Sequence, residues 1–132
     1  MPLGEVFALH GAQTFHRLEA EALEAVLAEG ERVVLAAGGS IVDAPATFRR
    51  LRATCRTVWL RASPESHFRR VLDQGDRRPM ANRPGAMEEL IQLLARREGA
   101  YGACEIAVQT DGREPEEVAR EVLERLAALE AA

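Results

Sequence analysis

Apolar and polar positions along the chain form blocks that predict helices and short buried strands in turn. A short helix is expected to end near Gly11, and helical spacing of apolar residues over 15–27 predicts a second helix that Gly30 would cap. Three short apolar runs are typical of strands buried on both faces of a parallel sheet: 33–37, 57–61 and 105–109. The order of these blocks predicts an α/β domain with parallel strands.

Capping residues and breaks place the remaining elements. A short helix is expected over 47–53 behind Pro45, and Ser63 is a good N-cap with Pro64 at the first helical position. The other expected elements are a helix to about Gln74, a loop over 76–83, a long amphipathic helix from Pro84, a turn at Asp111–Gly112 and a closing helix over 118–129. Three strands are few for such a sheet, and the first helices follow no strand. We therefore expect the front of the domain to be missing.

Length and composition narrow the class of protein. The chain has 132 residues, 47% of them hydrophobic and 29% charged, and a formal net charge of −4, which suits one folded domain over 1–132. No apolar run is long enough to cross a membrane, and the N-terminus lacks the features of a signal peptide. Cys55 and Cys104 are far apart and are expected to be reduced thiols, which favours a cytoplasmic protein.

All 17 basic residues are arginine, and they are unevenly spread. Ten of them lie between Arg49 and Arg83, whereas the end of the chain is acidic. The basic middle is either a set of solvated helix faces or an anion-binding segment. The chain has neither the spacing nor the lysine of a P-loop, and its few aromatic residues do not favour a surface that stacks on nucleic-acid bases.

Four short segments hold the candidate binding residues. Gly38, Gly39 and Ser40 follow the first predicted strand, where they form either a tight turn or a place for a ligand to approach the backbone. Arg77 and Arg78 lie in the predicted loop, which is either a solvated turn or a lid over phosphates or a carboxylate.

The other two segments lie on predicted helices. Arg97, next to Arg96, ends the long helix, where positive charge is stabilised by the helix dipole or binds an anion. His16 is either a lone helical histidine or, with Arg17, part of an anion site. His10 and His67 have no spacing that indicates a metal site, and we predict none.

Four motifs resemble the shikimate kinase family. They are Val6 to Glu19, which is similar to IF-xxx-GE-xx-FR-xx-E; Leu35 to Val42, similar to ATGGGxV; Arg78-Pro79, similar to the lid motif RPLL; and Arg97 to Tyr101, similar to RxPLY. Their order and spacing agree over essentially the whole chain. The resemblance implies a three-layer, P-loop-kinase-like fold that is truncated at its N-terminus. It also implies a phosphate-facing Arg78, a carboxylate-facing Arg97, and ATP and Mg²⁺ as the cofactors of the family.

A narrower resemblance suggests a sensor. The segments 57–65, 74–81 and 86–90 are similar to the shikimate-kinase-like domain of helix-turn-helix regulators of benzoyl-CoA catabolism. That resemblance implies a ligand-binding domain for an aromatic acyl-CoA, without catalysis and without DNA binding of its own. Shikimate kinase, or an inactive remnant of one, is the alternative; a further alternative is a non-catalytic module whose partner supplies the missing strands.

The chain departs from the kinase pattern at several positions. His16 stands where the family has an arginine, Ser40 where it has a third glycine, and Gly99-Ala100 where it has Pro-Leu; the P-loop strand and the acidic strand after it are absent. We therefore expect no catalysis and no cofactor for this chain alone. We expect a small anionic ligand, an aromatic acyl-CoA or shikimate, no membrane contact, and possible pairing of the sheet in a homodimer.

Overall fold

Gly11 breaks the first helix, as the sequence predicts. A computed structural model describes residues 3–73 and 85–131, with side chains from residue 10 onwards. In this structure α1 spans Leu3–Ala28. Within it, Gly11 has φ 82° and ψ 171°, a conformation that only glycine adopts readily. The helix ends where Gly30, at φ 69°, donates its amide to the carbonyl of Leu27, which confirms the predicted C-terminal cap.

The chain forms two compact units, Met1–Cys55 and Arg56–Ala132. The first unit continues from α1 through a 3₁₀ helix, Gly39–Asp43, to α2, Pro45–Thr54. The predicted helix over 47–53 is present and begins two residues earlier, at Pro45. Its buried apolar side chains are Leu23, Ile41, Val42, Phe48 and Leu51. Arg50 of α2 donates twice to the carboxylate of Glu24 of α1, at 2.8 and 3.1 Å, so the two helices are joined by a bidentate ion pair.

The prediction of a strand over 33–37 is wrong. Residues 30–38 have no regular secondary structure, and Val33, Val34 and Leu35 expose 49%, 101% and 39% of their surface. An apolar run forms a buried parallel strand only where neighbouring strands pair with its backbone. Among the described residues no strand pairs with this segment, so its backbone stays outside the sheet.

The second unit contains a parallel strand pair. Strand β1 spans Val58–Arg61 and β2 spans Ile106–Gln109, and they pair from Val58 with Ile106 to Arg61 with Gln109. These positions agree with the predicted strands over 57–61 and 105–109. The helices of this unit are α3, Pro64–Asp73; α4, Ala86–Tyr101; and α5, Pro115–Ala131.

Helices cover both faces of this strand pair. Ile106 and Val108 of β2 are almost wholly buried and pack with Val118 of α5, and Val58, Val122, Leu126 and Leu129 surround them. On the other face, Trp59 of β1 stacks on Tyr101 of α4, with ring centroids 5.5 Å apart, and the Arg61 guanidinium lies over the Trp59 ring. The second unit therefore has the three layers of an α/β fold.

Two further observations concern the chain as a whole. Neither Cys55 nor Cys104 forms a disulfide bond, in agreement with the expectation of reduced thiols. No helix within the described residues combines the length and the apolar character needed to span a bilayer.

Candidate functional site

The carboxyl ends of β1 and β2 are fastened together by the residues that follow them. Thr110, which comes directly after β2, donates both its amide and its hydroxyl to the carbonyl of Arg61, at 2.9 and 2.7 Å. Asp111 accepts the Ser63 amide with both carboxylate oxygens, each at 3.1 Å. This is the edge of a parallel sheet at which α/β proteins bind ligands.

Helix α3 starts at this edge and returns to it. Ser63 is the N-cap, as predicted, because its hydroxyl accepts the Ser66 amide at 3.1 Å. Near the other end of α3, Arg70 donates to the hydroxyl of Thr110 at 3.0 Å and to its carbonyl at 3.2 Å. These bonds hold one edge of the Arg70 guanidinium, and its other N–H groups can donate to an anion.

Helices α3 and α4 contact each other and carry three basic side chains that interact electrostatically. We call them the basic cluster: His67 and Arg70 of α3, and Arg97 of α4. The pKa of His67 lies below its ordinary value, first because the ring is partly buried and then because Arg70 and Arg97 repel a further positive charge. His67 is therefore neutral near pH 7. The cluster presents two fixed positive charges and one titratable group.

Arg97 is thus placed among other basic groups, and its side chain is half-buried. Arg96 beside it is exposed. Two adjacent arginines of one helix therefore occupy different surroundings, and only Arg97 belongs to the cluster.

In the first unit, Gly38 and His16 lie near the same carboxylate. Nδ1 of His16 is 3.2 Å from Oε1 of Glu19, with both side chains about one-fifth exposed. A β-carbon built on Gly38 would lie 3.9 Å from Oε2 of Glu19, an ordinary contact distance. Gly38, Gly39 and Ser40 lead into the 3₁₀ helix rather than ending a strand, and Gly38 has a φ of −63°, which any residue adopts. A tight turn therefore does not explain the glycine at position 38.

Arg77 and Arg78 lie outside the described residues, so their predicted position over the ligand stays a prediction. Sequence reasoning missed Arg70, Thr110 and Asp111 as members of the edge. The available signal was their place directly after a strand or in the helix that follows one, where polar residues face the ligand side of a parallel sheet. Within the described residues, no group of three His, Cys, Asp or Glu side chains is arranged to hold a metal ion.

Comparisons with known proteins give a consistent result. The shikimate kinase family profile matches residues 1–127. A shikimate kinase from Moorella thermoacetica is 36% identical over 129 residues, which cover 97% of this chain and 72% of that protein. A shikimate kinase from Symbiobacterium thermophilum is 35% identical over 126 residues, which also cover 72% of that protein.

The solved structures agree. The crystal structure of a shikimate kinase from Bacteroides thetaiotaomicron matches with a TM-score of 0.79 and 28% identity, over 98% of this chain and 75% of the crystallised one. The predicted kinase-like α/β fold is thereby confirmed.

Proposed function

The chain belongs to the shikimate kinase family, and we propose that it takes part in the ATP-dependent phosphorylation of shikimate. The observation that carries this proposal is the similarity to proteins named shikimate kinase over nearly the whole chain, at 36% identity for the Moorella protein. Both compact units contribute to the match, because the family profile extends from residue 1 to residue 127.

This similarity corrects the sensor interpretation. The sequence analysis expected a regulator of benzoyl-CoA catabolism that binds its ligand without catalysis. The similar proteins are named shikimate kinase instead. The segments 57–65, 74–81 and 86–90 suggested the regulator. The segment 74–81 lies outside the described residues, and the other two belong to β1, the start of α3 and α4, which are part of the kinase fold. Similarity there does not distinguish a sensor from an enzyme.

The basic cluster supports a role in holding anionic groups. Phosphoryl transfer depends mainly on positioning and on neutralising the charge of the phosphates and substrate. Guanidinium groups bind carboxylates and phosphates in a bidentate manner. We propose that Arg97 binds the carboxylate of shikimate, and that Arg78 and Arg77, which lie outside the described residues, bind phosphate groups.

The first unit carries the other residues that we propose for binding. Gly38, Gly39 and Ser40 offer backbone groups to a ligand, and the ordinary φ of Gly38 does not itself require a glycine. His16, whose Nδ1 lies 3.2 Å from Oε1 of Glu19, is the proposed anion-binding side chain of this unit. It stands where the family has an arginine, so it would bind an anion more strongly when protonated.

ATP and Mg²⁺ are the cofactors that this function requires. ATP supplies the phosphoryl group that passes to a hydroxyl of shikimate. Arg70, the other arginine of the basic cluster, suits its charge. No described residue is assigned to Mg²⁺, which binds largely through water and phosphate oxygens and one or two carboxylates.

The test compares two neighbouring arginines of α4. Shikimate-dependent ADP production is measured on the protein at its natural length, purified from the cells that make it, and on Arg97→Ala and Arg96→Ala variants. We expect Arg97→Ala to raise the KM for shikimate at least about tenfold, because a hydrogen bond to a charged group contributes about 1.5–3 kcal/mol. Arg96→Ala, which removes an exposed arginine from the same helix, should leave this KM unchanged.

Two results would contradict the proposal. One is the absence of shikimate-dependent ADP production by the wild-type protein. The other is the same KM in both arginine variants, which would show that Arg97 does not bind the substrate carboxylate.

A further inference from the structure

The outer edge of β2, which faces away from β1, is formed by the backbone of Ala107 and Gln109. In a parallel pair, alternate residues of a strand bond to the neighbouring strand, and the residues between them face away. The amides of Ile106 and Thr110 donate to carbonyls of the β1 segment at 3.1 and 2.9 Å. Among the described residues no third strand pairs with β2, so this edge is one to which a further strand could be added.

Both outward carbonyls of β2 accept a hydrogen bond from an arginine. Arg113 donates to the carbonyl of Gln109 at 2.9 Å, and Arg125 of α5 donates to the carbonyl of Ala107. We call Arg113 and Arg125 the edge arginines. A strand added here would need these two acceptors for its own amides. The edge arginines therefore occupy the bonding positions of a further strand.

Glu121 of α5 lies between the edge arginines. One of its oxygens accepts from Arg113 at 2.7 Å, and the other accepts from Arg125 at 3.4 Å. The pKa of Glu121 lies below its ordinary value, first because of the hydrogen bond from Arg113 and then because of the Arg113 charge and the contact with Arg125, although burial acts in the opposite direction. The carboxylate is therefore ionised at neutral pH and holds both guanidinium groups at the edge.

The spacing of residues along α5 brings this group to the edge. Val122 and Leu126 pack in the core around β2, and Glu121 and Arg125 each precede one of them by one residue. Neighbouring residues of a helix lie about 100° apart around its axis. Glu121 and Arg125 therefore lie on the flank of the apolar face, from which Arg125 reaches the edge of the strand.

A gain in stability does not explain this arrangement. The three side chains are between 27% and 45% exposed, and exposed ion pairs contribute little to stability. Charged side chains on an edge strand have another effect, because an open edge pairs readily with other chains. Two copies that approached by their β2 edges would bring like charges together, which opposes their contact.

We propose that Arg113 and Arg125, which Glu121 holds in place, keep the outer edge of β2 closed to a second copy of this chain. The partner that they exclude is β2 of that copy, because two identical edges related by a twofold axis satisfy each other's donors and acceptors. This inference concerns self-association and does not depend on the proposed kinase function.

The experiment removes the edge arginines from the protein at its natural length. The double variant Arg113→Ala/Arg125→Ala uncovers both carbonyls. The matched control is Arg96→Ala/Arg120→Ala, which removes two exposed arginines of α4 and α5 and leaves the same net charge. Sedimentation velocity over a range of concentrations measures self-association, and hydrogen exchange measures the protection of the outward amides of β2.

We expect the double variant to self-associate at least about tenfold more strongly than the wild type, because like charges no longer oppose the contact. Its outward β2 amides should become protected as the concentration rises. The control should match the wild type in both measurements. Arg125→Ala, which uncovers one carbonyl, should give a smaller change in the same direction.

A proline at position 107 tests whether the contact uses this edge. Ala107→Pro removes an outward amide, and proline is tolerated in an edge strand where its nitrogen faces away from the sheet. Added to the double variant, it should return self-association to the wild-type level.

Two outcomes would overturn the inference. One is a double variant that associates no more than the control, and the other is association that Ala107→Pro does not reduce, which would mean that the contact uses another surface. Circular dichroism checks that each variant is folded. If the double variant is not, Arg125→Ala decides in its place, and association equal to that of the control overturns the inference. If the proline variant is not, unprotected outward amides in the associated protein overturn it.

Discussion

His67 shares the basic cluster with two guanidinium groups, and this sets its protonation. Burial, Arg70 and Arg97 all disfavour the imidazolium, so the folded pKa is lower than the unfolded value of about 6.5. Between these two pKa values the unfolded chain binds more protons than the folded one. The contribution of His67 to stability is therefore complete above about pH 6.5 and decreases as the pH falls toward the folded pKa.

The corresponding prediction uses two histidine variants. The wild-type protein should lose more unfolding free energy between about pH 7.5 and 5.5 than His67→Gln does, because glutamine does not titrate in this range. His10→Gln, which changes an exposed histidine of α1, is the control and should follow the wild type. Urea denaturation at the two pH values measures the difference. Equal losses in the wild type and His67→Gln would contradict the lowered pKa.

At the scale of elements, two glycines within helices have opposite roles. Gly11 interrupts α1 with φ 82°, whereas Gly99 lies within α4 without a positive φ. Neither has an atom within 4 Å of a β-carbon added to it. Both positions therefore have room for a β-carbon, and they differ only in backbone conformation.

Substitution by alanine should separate these roles. Gly11→Ala is expected to lower the unfolding free energy by about 1–3 kcal/mol, because alanine is strained at this φ and ψ. Gly99→Ala is expected to raise it by about 0.5–1 kcal/mol, because alanine favours a helix interior. Urea denaturation gives both values. A stabilising Gly11→Ala would mean that the break in α1 does not require glycine.

At the scale of the whole molecule, each compact unit has its own buried apolar residues. In the second unit, Leu90 of α4 is 1% exposed, whereas Leu123 of α5 is 67% exposed. Both are leucines inside long helices. Because only Leu90 is buried, it should contribute more to the unfolding free energy than Leu123 does.

We expect Leu90→Ala to lower the unfolding free energy by about 2–5 kcal/mol, since it removes buried methyl groups and leaves a cavity. Leu123→Ala should change it by less than about 0.5 kcal/mol, as exposed substitutions usually do. Chemical denaturation of both variants checks the pair. Similar losses would show that α5 buries Leu123 in solution.

Much of the element order could be predicted from the sequence because short-range chemistry sets it. Ser63 caps α3, Pro45 begins α2, Gly11 breaks α1 and Gly30 ends it, and each effect acts within a few residues. The motifs at Leu35–Val42 and Arg97–Tyr101 indicated the family that the comparisons then showed. The regulator interpretation was wrong because the similar proteins are named shikimate kinase, and the described segments that suggested a regulator belong to elements of the kinase fold.

Tertiary structure decided what depends on distant partners. The apolar run over 33–37 has the composition of a strand, but a strand exists only where another backbone accepts its hydrogen bonds. Arg70 meets Thr110 across 40 residues of sequence, and Ser63 meets Asp111 across 48. No local pattern records such contacts, because they arise only when two parallel strands bring their carboxyl ends to the same edge.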